Sequence, residues 1–219
     1  MVTIAVKKIM GIARASVKKV GGILQNKTVT LQPSSGIDTY LMHYAGFDDT
    51  NFSTNASLTV QPYSASTIKR VLIAFDLSSI PAGATILSAV LGLKLTSAYA
   101  GEVTIEAHEI TRSWTLAGVT WNKYDGSNAW ATPGGDFDAA VIDSVVLDGT
   151  VQFYEWDITA SIVQGWLSTN NGLLLKASNE ALTISDKYFA ASENATPGNR
   201  PYLRVTYTGI KKFMGVSNV

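Results

Sequence analysis

From Thr28 onward, apolar and polar positions alternate in short runs broken by turn residues, the period of half-buried β-strands. Thr28-Val29-Thr30-Leu31 precedes Pro33-Ser34-Ser35-Gly36, and Arg70-Val71-Leu72-Ile73-Ala74-Phe75 precedes Ser78-Ser79-Ile80-Pro81-Ala82-Gly83, where Pro81 and Gly83 fix a turn. Ile86 to Leu95 reads as a long strand with Ala89, Leu91 and Leu93 on one face. Val103 to Ile110, Val141 to Leu147, Val151 to Trp156, Leu173 to Lys176 and Tyr202 to Tyr207 supply further strands, roughly nine or ten in all, at sandwich spacing. Between Thr159 and Ser168 the apolar residues Ile162, Val163, Trp166 and Leu167 follow helical spacing, so one short helix is predicted with Thr159 as its cap. Gly, Asn, Asp and Pro cluster in Ala45 to Ala56 and Trp121 to Phe137, which predicts long loops of the kind that carry recognition. The pattern predicts an all-β fold: a jelly-roll-like antiparallel β-sandwich with one short helix and extended basic terminal arms.

Composition agrees with that fold. The chain has 219 residues, 46% of them apolar and only 16% charged, enough for a substantial core with neutral polar faces. Trp121 and Trp156 are large enough to fill the space between two sheets, and Arg200 is placed to pair with Asp76, Asp157 or Glu193 where strand ends converge. Cysteine is absent, which excludes a disulfide framework and thiolate metal sites.

Charge changes the picture more. All 17 acidic residues lie between Thr28 and Thr208, against 9 basic ones, a net of −8, while the ends carry the other 8 basic residues. Both ends hold one phrase: Val6-Lys7-Lys8-Ile9-Met10-Gly11, Val17-Lys18-Lys19-Val20-Gly21-Gly22 and Ile210-Lys211-Lys212-Phe213-Met214-Gly215. We divide the chain into a basic amino-terminal arm (1–27), a sandwich (28–208) and a basic carboxy-terminal arm (209–219). Lys7, Lys8, Ile9, Gly11, Lys18, Lys19, Val20, Gly22, Lys211, Lys212, Phe213 and Gly215 are the candidate partner-binding residues of the arms. The first arm can be written as an amphipathic helix with an 11-residue repeat or as short extended segments punctuated by glycine. Without aromatics or dense charge, the amino-terminal arm suits an acidic protein surface better than nucleic acid or membrane. Ile9 to Ala13 is shorter than a signal-peptide core of roughly 7 to 15 residues, so no cleaved leader is expected.

Catalytic chemistry is sparse. His43 and His108 are the two imidazoles, no Gly-rich phosphate loop or paired-histidine metal motif occurs, and both histidines read more simply as packing or surface residues. The carboxylates of Asp48-Asp49 and Asp136-Phe137-Asp138 could serve a glycosidase only by facing one another across roughly 5 to 10 Å. Asp125, Asp136 and Asp138, with Asn128, are candidate ligands for a structural calcium ion, and no other cofactor is expected. Glycan binding is the best small-ligand reading, because aromatic faces stack on sugar rings. Trp130, Tyr124, Tyr44 and Tyr63 are its candidates, with Phe47 sharing their character. Trp130 reads either as a sugar platform or as an anchor docking its loop on the sandwich.

An ordered series of motifs carries a family resemblance. It runs from Thr28-Val29-Thr30-Leu31-Gln32-Pro33 and Asp38-Thr39-Tyr40 through Phe75-Asp76-Leu77-Ser78-Ser79-Ile80-Pro81, Ala89-Val90-Leu91-Gly92-Leu93 and Val119-Thr120-Trp121-Asn122. It continues with Trp156-Asp157-Ile158-Thr159, Gln164-Gly165-Trp166-Leu167, Asn171-Gly172-Leu173-Leu174-Leu175, Ser192-Glu193 and Arg200-Pro201-Tyr202-Leu203-Arg204-Val205-Thr206-Tyr207. Residues 28–208 thereby resemble the DNRLRE-domain family, β-sandwich modules related to some carbohydrate-binding modules. The resemblance implies a sandwich whose matched residues hold the fold together; with so little catalytic chemistry in the chain, no catalysis is expected. The arm phrases resemble segments of tailed-phage structural proteins. Together the two likenesses imply a virion protein, a capsid decoration or head-fibre component that meets capsid or other virion proteins as a homo-oligomer. A carbohydrate-binding module for surface polysaccharide is the alternative, and a polysaccharide-degrading enzyme the second.

Overall fold

The computed structural model describes residues 23–33, 37–64, 66–98, 101–183 and 186–211. Among them are the strands β1 (Ile23–Leu31), β2 (Asp38–His43), β3 (Ser57–Pro62), β4 (Ile68–Ile73), β5 (Thr85–Ala98) and β6 (Val103–Glu109). After these come β7 (Asp143–Leu147), β8 (Phe153–Ile158), the helix α1 (Ala160–Trp166), β9 (Leu173–Ala177), β10 (Lys187–Ala190) and β11 (Tyr202–Lys211). All the pairings between these strands are antiparallel. They follow one curled path, β1-β11-β5-β10-β3-β4-β9-β6-β7, with β2 on β4 and β8 on β5. The fold is therefore all-β, as the alternation predicts.

Two layers enclose the main core. Leu91, Leu93, Trp156, Leu203 and Val205 come from β5, β8 and β11, and Val71, Ile73, Ile105, Leu173 and Leu175 from β4, β6 and β9. Trp156 joins the layers: it is fully buried, and its indole Nε1 donates to the Ile105 carbonyl at 3.0 Å. The long β5 runs through both, pairing β11 and β8 over its first part and β10 over Leu95 to Ala98.

Why the runs Val71-Leu72-Ile73 and Leu173-Leu174-Leu175 are apolar without a break follows from a second core. Side chains alternate across a strand, so Leu72 and Leu174 point away from the main core. There they join Leu41, Ile110, Val119, Trp121 and Trp130 in a separate buried cluster. The segment 110–142, linking β6 to β7, folds over the outer face of this layer and makes β4 and β9 strands buried on both sides. Trp121, expected between the sheets, belongs to this outer cluster.

The helix lies where its spacing predicts, with Val163 and Trp166 buried. Thr159 occupies the cap position but contributes its carbonyl, which accepts from Ile162 and Val163, and makes no side-chain cap bond. Arg200 differs from expectation: its Nε donates to the Asn194 carbonyl at 2.9 Å and it pairs with none of the three expected acids. Of the arm candidates only the backbone of Lys211 falls within the described residues; the others lie outside them. No helix among the described residues is long and apolar enough to cross a membrane.

Candidate functional site

Arg70 clamps the loops onto the sheet. Its side chain leaves β4 on the outer face, where Nε and Nη2 each reach the Glu180 carboxylate at 2.7 Å and Nη1 donates to the Gly134 carbonyl at 2.9 Å. The same guanidinium lies 4.8 Å from the Trp121 ring centre and 5.6 Å from that of Phe137. A planar fork can pair and stack at once, which an ammonium cannot. Trp121 in turn stacks on His43, with centroids 5.3 Å apart.

His43 passes this order to the next loop. Its Nδ1 meets Asp48 Oδ1 at 2.8 Å, and the same oxygen accepts the Tyr44 N–H at 3.2 Å. Tyr44-Ala45-Gly46-Phe47 then closes a β-turn, with Phe47 N–H donating to the Tyr44 carbonyl at 2.8 Å. Gly46 has φ +87°, the left-handed geometry that the third position of a type II turn requires. A turn brings its first and fourth residues together. The Tyr44 and Phe47 rings accordingly sit 5.8 Å apart at 36°, and both remain more than two-fifths exposed, at 45% and 43%. Asp49 ion-pairs with Lys123 across the loops at 3.6 Å, both side chains open to solvent.

Tyr63 emerges at the same end. In the ladders, His43 and Pro62 both lie opposite Ile68, so the chain just past β2 and the chain just past β3 flank the start of β4. Tyr63 is 45% exposed. Tyr44, Phe47 and Tyr63 are the exposed aromatic residues among the described ones, and register places all three at one end of one sheet.

The other candidates are placed differently. Trp130 is a loop anchor: it is 3% exposed, with its Nε1 donating to the Thr120 carbonyl at 3.0 Å, so its faces are not offered to a ligand. Tyr124 packs edge-on against Trp130 and carries the Arg112 guanidinium 5.0 Å from its ring centre. Arg112 and Asp136 pair at 2.5 Å and, with Thr111, Thr132 and Phe137, line an open cleft of about 430 Å³.

The three aspartates weighed for calcium serve separate turns. Asp125 accepts from Asn128 and Ser127, bonds that hold its pKa below the ordinary carboxylate value. Burial acts to raise the pKa of Asp136, but hydrogen bonds from Arg112, Ala131 and Thr132 outweigh it and the net shift is downward. Asp138 accepts from the Ala140 N–H. Among the described residues no three His, Cys, Asp or Glu side chains gather as a metal site. His108 is buried, its Nδ1 2.9 Å from the Asp138 carbonyl oxygen and its ring against Phe137, a packing role.

An antiparallel β-domain that exposes an ordered pair of aromatic rings, with an acid and an ammonium paired across the neighbouring loops, has the features of a binding surface. The model of carbohydrate-binding module family 96 matches residues 27–207, and the chain belongs to that family. The match spans the stretch in which the DNRLRE-like series runs, and it is a family of binders. No curated protein matches the chain.

Proposed function

We propose that the protein binds polysaccharide through the aromatic end of the β2–β4–β3 strands, with Tyr44, Phe47 and Tyr63 as platforms and Asp49 and Lys123 meeting sugar hydroxyls. The exposed Tyr44–Phe47 ring pair, with Tyr63 exposed at the same end of the sheet, carries this reading. A pyranose ring has apolar C–H faces and a hydroxylated rim, so it fits a ring surface edged by strong hydrogen-bonding groups. The Tyr44–Phe47 turn is already ordered, and little conformational freedom remains to be lost on binding. Affinity electrophoresis through gels holding soluble polysaccharides tests this. Tyr44→Ala and Phe47→Ala should each weaken retention about tenfold, about 1.4 kcal/mol, and leave the melting temperature within about 1 °C, because both rings are exposed. Retention of the double variant equal to that of the parent on every polymer would refute the site.

We also propose that the module is displayed on a virion as a capsid decoration or head-fibre homo-oligomer, held through its basic arms by acidic surfaces of capsid proteins. The repeated Lys-Lys phrases support this, together with the register that sets Ile23 opposite Lys211, so that the two arms start side by side. Such attachment is salt-sensitive, since exposed ion pairs are screened within about 10 Å at 0.1 M salt. A chain reduced to residues 23–211 should lose its place on the particle. Incorporation at full occupancy would rule the arms out as tethers.

A further inference from the structure

The outer face of β1, β11, β5 and β8 carries a second aromatic site, unconnected with the loops. Register defines its rows: Thr28, Thr206 and Ser88; then Thr30, Arg204, Val90 and Asp157; then Tyr202, Gly92 and Glu155; then Lys94 and Phe153. The neighbours of these residues along each strand, such as Leu91, Trp156 and Leu203, fill the main core, which leaves the rows themselves on the outside.

Tyr202 lies down on this face. A Cβ added at Gly92 would come within 2.2 to 2.6 Å of Tyr202 Cζ, Cε1 and Oη, so the ring rests where a side chain on β5 would otherwise stand. Its hydroxyl crosses the full width of β5 and donates to the Glu155 carboxylate on β8. That bond holds the half-buried ring over Gly92, between its own strand and β8. Phe153 extends the platform, with its centroid 5.3 Å away, and Lys94 Nζ stands 5.5 Å from the Phe153 ring centre. Arg204 reaches Glu155 at 3.2 Å and lies 5.6 Å from the Tyr202 ring centre. Toward β1 the surface turns to hydroxyls, with Thr28 and Thr206 bonded to each other at 3.0 Å.

We infer that this face is a second polysaccharide-binding surface, one that takes an extended neutral chain lying across the strands with a sugar ring on Tyr202. The inference rests on the carbohydrate-binding reading and adds a site to it. A flat ring needs a flat partner, and the cut-out at Gly92 makes the face level where it would otherwise be ridged. Lys94 and Arg204 are balanced by Glu155 and Asp157, so the surface has no net charge to select a polyanion, while its threonines and serine offer donors and acceptors to hydroxyls.

The full chain is run by affinity electrophoresis in xylan, mixed-linkage β-glucan, galactomannan and polygalacturonate, with its association state followed by sedimentation. Tyr202→Ala should weaken retention at least fivefold on at least one neutral polymer. Gly92→Ala should do the same although it removes no aromatic atom, because its methyl group evicts the ring; φ at Gly92 is not positive, so alanine fits the backbone there. Tyr202→Phe should fall between. The inference fails, and the loop site stands, if both alanine variants match the parent on every neutral polymer while Tyr44→Ala does not. It fails too if Tyr202→Ala chiefly costs binding to polygalacturonate, or if the parent is a dimer that Tyr202→Ala dissociates. Lack of retention on any polymer overturns the carbohydrate-binding reading itself.

Discussion

Asp38 shows how much a single buried group can set. It is 1% exposed at the start of β2, with one oxygen accepting the Ser192 hydroxyl at 2.6 Å and the other the Ser192 N–H at 2.9 Å. Burial dominates, the Ser192 bonds only partly oppose it, and the pKa rises from 3.8 to about 6. Between these values the folded chain holds a proton that the unfolded chain releases. The stabilising contribution is complete below pH about 4 and is lost as pH rises through about 6. Melting curves of the parent and Asp38→Asn from pH 4 to pH 7 test this. The variant should be less stable throughout, having lost an acceptor, and the parent's advantage should shrink by on the order of 1 to 3 kcal/mol between pH 4 and pH 6. Parallel profiles would exclude Asp38 as the titrating group.

At the scale of elements, what the sequence disclosed depended on whether burial followed the pattern. β5 and α1 bury apolar residues at regular intervals, β4 and β9 hold short unbroken apolar runs, and all four are legible. β2, β3 and β10 are not legible as strands, since Asp38, Thr39, Thr59 and Lys187 are buried polar residues within them and break the alternation. The partner that makes Asp38 tolerable, Ser192, lies 154 positions away and cannot be inferred from local spacing. The loops were placed, yet Trp130 shows their limit: composition marks a loop tryptophan without saying whether it faces in or out. The Tyr-Ala-Gly-Phe turn was within reach of sequence, because a glycine third in a turn sets the flanking aromatics together. The Tyr202 face was not, since it needs the register of β11, β5 and β8. Gly172, where the chain enters β9, has φ +82°, and a Cβ there would stand 2.3 Å from the Ile73 carbonyl oxygen. Gly172→Ala should cost roughly 2 to 4 kcal/mol, a fall of roughly 4 to 12 °C in the melting temperature measured by calorimetry. A fall under 2 °C would show that β4 and β9 give way easily.

For the whole molecule, charge is segregated between an acidic middle, residues 28–208, and basic ends. Residues 23–211 contain both members of the β1–β11 ladder, from Ile23 opposite Lys211 to Leu31 opposite Leu203. Trimming to that span should leave thermal stability within about 2 °C, because no paired strand is cut. A drop beyond about 5 °C would mean that the arms help to hold the body together. Paired strands at the two extremities also have a practical outcome. Facing residues of such a ladder stand about 5 Å apart, so the body occupies almost no span between its entry and its exit. It can therefore be grafted as a cassette into a surface loop of an unrelated protein, or circularly permuted by a short linker, without stretching either partner.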